Sequence, residues 1–150
     1  MPYKKPLNIL FVCTGNSCRS QMAEGYARAI GDGLLSADSA GIEAHGKNML
    51  AVRVMQEDGV DISQQQSKRL NKAQLDVADI VITVCGHADE HCPVLPPTTI
   101  RCHWPFDDPA RLKGDESIVI EGFRTVRNQI KKRIEEFVAG LESEQIRRAS

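Results

Sequence analysis

The 150-residue chain is notable first for what it lacks. It has no apolar run near the roughly 18 residues of a membrane span. Met1 to Lys5 is polar, and the apolar run Asn8 to Val12 is too short for the core of a signal peptide. It has no excess of one charge: the formal net charge is -1, with both signs spread along the chain, so no large basic surface for nucleic acid is implied. There is no internal repeat, low-complexity tract or linker. These absences leave an ordinary soluble domain, expected in the cytoplasm. The length suits one domain over residues 1–150, and a monomer is the default.

An even cysteine count is also missing. The five are Cys13, Cys18, Cys85, Cys92 and Cys102. An odd number without an export signal argues against a disulfide framework. In a reducing compartment these thiols are expected to be buried, metal-bound or reactive.

What is present alternates. Asn8–Cys13 (NILFVC) reads as a buried strand, Ser20–Ile30 as a helix stopped by Gly31, and Leu34–Ala40 as a second strand. Asn48–Asp58 reads as a helix ended by Gly59, and Asn71–Asp76 as a short one. Ile80–Cys85 (IVITVC) is a strongly β-branched strand, and Thr99–His103 a weaker one. Ser117 to about Leu141 is a long helix with an apolar stripe of Val119, Phe123, Val126, Ile130, Ile134, Phe137 and Leu141. The last six residues (QIRRAS) are expected to fray. Strands alternating with helices predict an α/β domain with a parallel sheet. Ligands bind beyond the carboxyl ends of such strands. Cys13 and Cys85 both stand there, so they could approach each other.

The segment Cys13-Thr-Gly-Asn-Ser-Cys-Arg19-Ser20 joins a strand to a helix start. A loop running into a helix N-terminus aims backbone N–H groups inward and suits a tetrahedral oxyanion. Thr14, Gly15, Asn16, Ser17, Cys18, Arg19 and Ser20 are therefore the candidate oxyanion-binding residues. Gly15 allows the tight backbone, and Arg19 can bind two oxygens in a fork. The same field favours the thiolate of Cys13 as a nucleophile, and Ser20 could donate to that sulfur. The nucleotide-binding G-x-x-x-x-G-K pattern is absent.

The segment VCTGNSCRSQMAEG resembles the low-molecular-weight tyrosine phosphatase superfamily, which contains phosphatases and thioredoxin-coupled arsenate reductases. The resemblance implies a three-layer fold, a four-stranded parallel sheet flanked by helices. It also implies that Cys13 is the nucleophile and that the aspartate of Asp108-Pro109 is the general acid, in preference to Asp107. SAGIEAHG (Ser39–Gly46), CGHADEHCPVLPP and HWPFDDPAR resemble the reductases in particular. Phosphatases of this fold generally lack the cysteine pair and carry tyrosines after the Asp-Pro, where this chain has Ala110 and Arg111. A hydrolase needs one cysteine, whereas a reductase must supply two electrons through a second thiol. The implied relay runs from Cys13 to Cys85 to Cys92, with arsenate as substrate, thioredoxin as reductant, and sulfate or phosphate as competing loop ligands. No cofactor is implied. Gly86–Cys92 is expected to be a short helix in the reduced form that loosens on oxidation.

Two other readings stay open. One is a phosphatase. The other is a zinc module built from Cys85, His87, His91 and Cys92, although adjacent His91 and Cys92 suit one tetrahedral ion poorly. Cys18 and Cys102 read as packing residues, Cys102 as a buried one. His45 and His103 read as structural hydrogen-bonders, and Trp104 as packing near the general-acid loop. Some relatives hold potassium beside the loop. The matching positions here are Asn16, Glu24, Ser39 and Lys68, where lysine replaces an aspartate. Lys68 is expected to take the ion's electrostatic place, paired with Glu24, or the site is lost.

Overall fold

The computed structural model describes residues 6–149, with side chains described to residue 143. The polar Met1–Lys5 stretch lies outside the described residues. Four strands form one parallel sheet: β1 (Leu7–Cys13), β2 (Leu35–Gly41), β3 (Ile80–Thr83) and β4 (Ile100–His103). Between and after them come α1 (Arg19–Ile30), α2 (Met49–Glu57), α3 (Lys72–Val77), α4 (Gly86–His91), a 3-10 turn at Pro109–Arg111, and α5 (Glu116–Ala149).

The strand order is β2-β1-β3-β4. The chain therefore moves one way from β1 to β2, then crosses back to build β3 and β4 on the other side. The reversal opens a crevice at the carboxyl ends of β1 and β3, where open α/β sheets bind ligands. In the register Val12 stands opposite Thr83, which puts Cys13 and the residues after β3 on one rim.

Local chemistry sets the element ends. Asn48 caps α2 by accepting from the Leu50 and Ala51 amides, and Asn71 with Gln74 forms a reciprocal capping box on α3. Gly31 ends α1. Ile9, Leu10, Phe11 and Val12 of β1 are buried because helices cover the central strand. Helix α5 packs on α1 and α2. It buries Phe123, Val126, Ile130 and Ile134 from the expected stripe, joined by Ile120 and Val138.

Two boundaries differ from the sequence reading by more than a single residue. Helix α5 runs through Ala149 instead of ending near Leu141; the side chains of the expected frayed tail, like Ser150 itself, lie outside the described residues. Strand β3 stops at Thr83, two residues short. The Val84 amide still reaches the Val12 carbonyl, but Cys85 has turned away to cap the next helix. Among the described residues no helix is long and apolar enough to cross a membrane.

Candidate active site

The loop between β1 and α1 is held from inside. Asn16 has φ 51, the sole positive φ at a non-glycine among the described residues. That conformation is costly unless its surroundings enforce it. Here they do. The Asn16 side chain donates to Ser20 Oγ (2.8 Å) and Ser39 Oγ (3.0 Å) and accepts from the Lys68 amide (2.8 Å), while its carbonyl accepts from Gln21 (3.1 Å). Ser39 in turn donates to Glu24 (2.6 Å), which pairs with Arg28 (2.6 Å). Asn16, Ser20 and Ser39 are fully buried. Gly41 at the end of β2 lies so close that a Cβ there would sit 2.1 Å from the Glu43 carbonyl and 2.7 Å from the Asn16 nitrogen.

This cage is built around one sulfur. Cys13 Sγ lies 2.8 Å from Ser20 Oγ and accepts from the Asn16 amide at 3.2 Å. The sulfur therefore sits at the floor of the loop, beside the N-terminal end of α1, with an amide and a hydroxyl in contact with it. Cys18 is different. Burial pushes its thiol up to about 12, outweighing a weak contact with Ser17, so it stays a neutral packing group.

An open cleft of about 660 Å³ lies over the sulfur. From the loop it is lined by Cys13, Thr14, Gly15, Ser17, Cys18 and Arg19. Asn16 and Ser20 are not among the lining residues. Their side chains are spent on the cage and the Cys13 sulfur, a role the sequence pattern could not separate from oxyanion contact. Arg19 is fixed by the Phe106 carbonyl (3.0 Å) and faces Asp108 Oδ2 at 3.7 Å. Asp108 caps the 3-10 turn through the Ala110 amide (3.0 Å), which directs its second oxygen toward Arg19. Asp107 lines the same cleft, without the guanidinium contact.

Cys85 enters the same cleft from the segment after β3. It caps α4, accepts from the Ala88 amide (3.4 Å), and lies 3.3 Å from Thr14 Oγ1 of the loop. Cys13, Cys85, Arg19 and Asp108 thus share one cleft. Cys92 does not. It stands at the far end of α4, half-buried, and burial pushes its thiol up.

The cleft also holds His45, read from sequence as structural, His87, read as a possible zinc ligand, Arg111, read as replacing a phosphatase tyrosine, and Phe106, which the sequence did not single out. His45 presses on Gly15 and bonds Glu43 (3.1 Å); SAGIEAHG carried that signal. His103 bonds Thr83 (2.8 Å). Trp104 is buried against Phe11 and Phe137, with Arg133 over its ring. Cys102 is half-buried, not buried, because β4 is an edge strand.

Lys68 does not pair with Glu24. Its ammonium bonds Asp38 at 2.5 Å, because a bridge between Gly41 and Arg69 lays this segment beside β2. Burial alone would raise the Asp38 carboxyl, but Lys68 and Gln74 together hold it below the usual range. The four expected potassium positions do not fit a cation shell: the Asn16 oxygen is taken by an amide, Ser39 donates to Glu24, and Lys68 brings a positive charge. The residues of the alternative zinc reading are also spread out. Cys85 and Cys92 sit at opposite ends of α4, and His87 stacks on His91 at 4.1 Å. Among the described residues no three His, Cys, Asp or Glu gather as metal ligands.

A family model described as low molecular weight phosphotyrosine protein phosphatase matches residues 8–147. The chain belongs to this family. By sequence it is similar to arsenate reductases at about half identity, while in shape it also matches the YwlE arginine phosphatase of Geobacillus stearothermophilus, with a TM-score of 0.78 at 28% identity over 95% of this chain and 97% of the other. The arsenate reductase of Halalkalibacterium halodurans is 50% identical over 129 residues, covering 86% of this chain and 93% of that protein. A solved arsenate reductase in a phosphate-binding state superposes with a TM-score of 0.75 at 38% identity, over 90% of this chain and 98% of the other. A thioredoxin-dependent arsenate reductase of Corynebacterium glutamicum gives 0.72 at 25% identity, over 94% of this chain and 64% of its own.

Proposed function

We propose that this chain is a single-domain cytoplasmic enzyme that reduces arsenate to arsenite through Cys13, Cys85 and Cys92 and is recharged by thioredoxin. The observation that carries the reading is the second thiol in the cleft, Cys85, 3.3 Å from the loop's Thr14 hydroxyl. Hydrolysis has no use for it, and reduction requires it. The relatives named for arsenate reduction, and the one named for thioredoxin dependence, support it.

The loop amides and Arg19 hold the oxyanion. The Cys13 thiolate attacks arsenic while Asp108 protonates a departing oxygen, which leaves as water. The Cys85 thiolate then attacks Cys13 Sγ. The S–As bond breaks with its electron pair on arsenic, so arsenic(V) becomes arsenic(III), and a Cys13–Cys85 disulfide remains. Cys92 attacks Cys85, freeing the Cys13 thiolate and forming a Cys85–Cys92 disulfide. Thioredoxin's dithiol reduces that bond. Phosphate and sulfate, which share arsenate's shape, compete for the loop.

The test is NADPH oxidation with arsenate, thioredoxin and thioredoxin reductase. Cys13→Ser, Cys85→Ser and Cys92→Ser should each abolish turnover. Cys85→Ser and Cys92→Ser should keep weak phosphate-ester hydrolysis, because the loop is intact. A wild-type chain that oxidises no NADPH with arsenate yet hydrolyses phosphotyrosine well would make it a phosphatase with two idle cysteines.

A further inference from the structure

Helix α4 has a cysteine at each end, and that geometry forbids their bonding in place. Seven residue steps along a helix climb about 10 Å at roughly 1.5 Å each. Disulfide-linked Cα atoms stand only about 4–7 Å apart. The helix must therefore open before Cys85 and Cys92 can join, and whatever holds it closed opposes that bond.

The structure shows a fastening at one residue. In a longer helix the Asp89 carbonyl would accept from the amide four residues on. That residue is Pro93, which has no N–H. Arg101 of β4 supplies the missing donor: its Nη2 lies 2.5 Å from the Asp89 carbonyl oxygen and 3.0 Å from Asp89 Oδ1. The same Oδ1 accepts from the Thr83 hydroxyl of β3 at 3.1 Å. One residue of α4 is thus tied to two strands by its backbone and its side chain together. Otherwise Ala88 is the sole buried residue of the helix. Arg101 touches no sulfur; its charge opposes the upward push of burial on the Cys92 thiol, and its bonds go to Asp89.

We propose that Arg101, with Thr83, latches α4 through Asp89 in the dithiol form, and that releasing this latch sets the reduction potential of the Cys85–Cys92 pair. The inference rests on the three-cysteine relay proposed above. Stabilising a dithiol makes its disulfide the stronger oxidant, so the latch raises the potential and makes the disulfide easier for a partner dithiol to reduce. Arg101 is a positioning residue: it acts on the helix, not on arsenate. Burial of Cys92 acts in the same sense, keeping its thiol protonated until the helix opens.

The experiment equilibrates the full chain with mixtures of reduced and oxidised dithiothreitol. Trapping and peptide mapping then quantify the Cys85–Cys92 disulfide. Arg101→Ala should shift the equilibrium toward the disulfide about tenfold, equivalent to about 30 mV more negative. Asp89→Ala, which keeps the carbonyl contact, should shift it less, and Arg101→Lys should recover part of the loss. In the reduced protein Arg101→Ala should also speed amide exchange across residues 86–91 while leaving residues 14–19 unchanged. Equal potentials in wild type, Arg101→Ala and Asp89→Ala would overturn the latch and leave the relay standing. No Cys85–Cys92 disulfide in wild type at any ratio would overturn the relay, and the latch with it.

Discussion

The loop Cys13–Ser20 and helix α4 face each other across one cleft and are built on opposite principles. In the loop, a left-handed asparagine is held by contacts from α1, β2 and the Lys68 segment, and its key side chains are fully buried. Helix α4 is six residues long, with one buried residue and one fastened one. A nucleophile that must meet arsenic in a fixed geometry gains from the first design. A thiol pair that must come together from the two ends of a helix needs the second. In the proposed relay a firmly held loop and a short, lightly buried helix meet across one cleft.

The harshest way to break this contrast is to loosen the loop. Gly41→Ala would drive a Cβ to within 2.1 Å of the Glu43 carbonyl and 2.7 Å of the Asn16 amide nitrogen. Backbone on both sides cannot swing aside as a flexible side chain would. The expected outcome is a loss of about 1–3 kcal/mol in urea unfolding. Arsenate reduction and phosphate-ester hydrolysis should fall together by about a hundredfold, since a misplacement near 1 Å costs that much. Reduction falling alone would mean that Gly41 serves α4 rather than the loop.

Stiffening α4 should have the opposite selectivity and a smaller size. A Cβ on Gly86 meets nothing within 4 Å, so Gly86→Ala fits the helix without strain. Lower backbone entropy in the open form favours the closed helix by about 0.4–1 kcal/mol. Formation of the Cys85–Cys92 disulfide in a single turnover should slow up to about fivefold, with ester hydrolysis within about twofold of wild type. Equal slowing of both reactions would place the effect on the cleft instead of on helix opening.

Much of this contrast was legible in the residues because it is local. NILFVC running into CTGNSCRS announces a strand, an anion loop and a helix start, and IVITVC places Cys85 at the same sheet edge. What stayed hidden is contact across distance. The stop of β3 at Thr83 reflects where Cys85 turns to cap α4, not any change in β propensity. The inward turn of Asn16 and Ser20 depends on Ser39 and Lys68, which arrive from other parts of the chain. Helix α5 continues past Leu141, where no apolar stripe marks it. Arg101 reads as an edge-strand charge until α4 is seen beside it.

Lys68 shows the same limit and carries the smallest effect. The resemblance suggested Glu24 as its partner; the fold supplies Asp38 instead, 2.5 Å away. With an ammonium already in place, turnover should be equal in potassium and sodium salts of the same ionic strength; a strong rise in potassium would show that the shell still takes the ion. The pair also has a signature in acid. The Asp38 carboxyl is held below its ordinary range, so its contribution is present above the unfolded value near 4 and is lost as pH falls through the folded one. Asp38→Asn should therefore flatten the acid limb of stability between about pH 5 and 3. Its side chain is 41% exposed, so screening limits the difference to about 1 kcal/mol at most. Urea midpoints across that range measure it. An unchanged acid limb would leave Lys68 holding the loop only through its backbone amide on Asn16, with the charge itself idle.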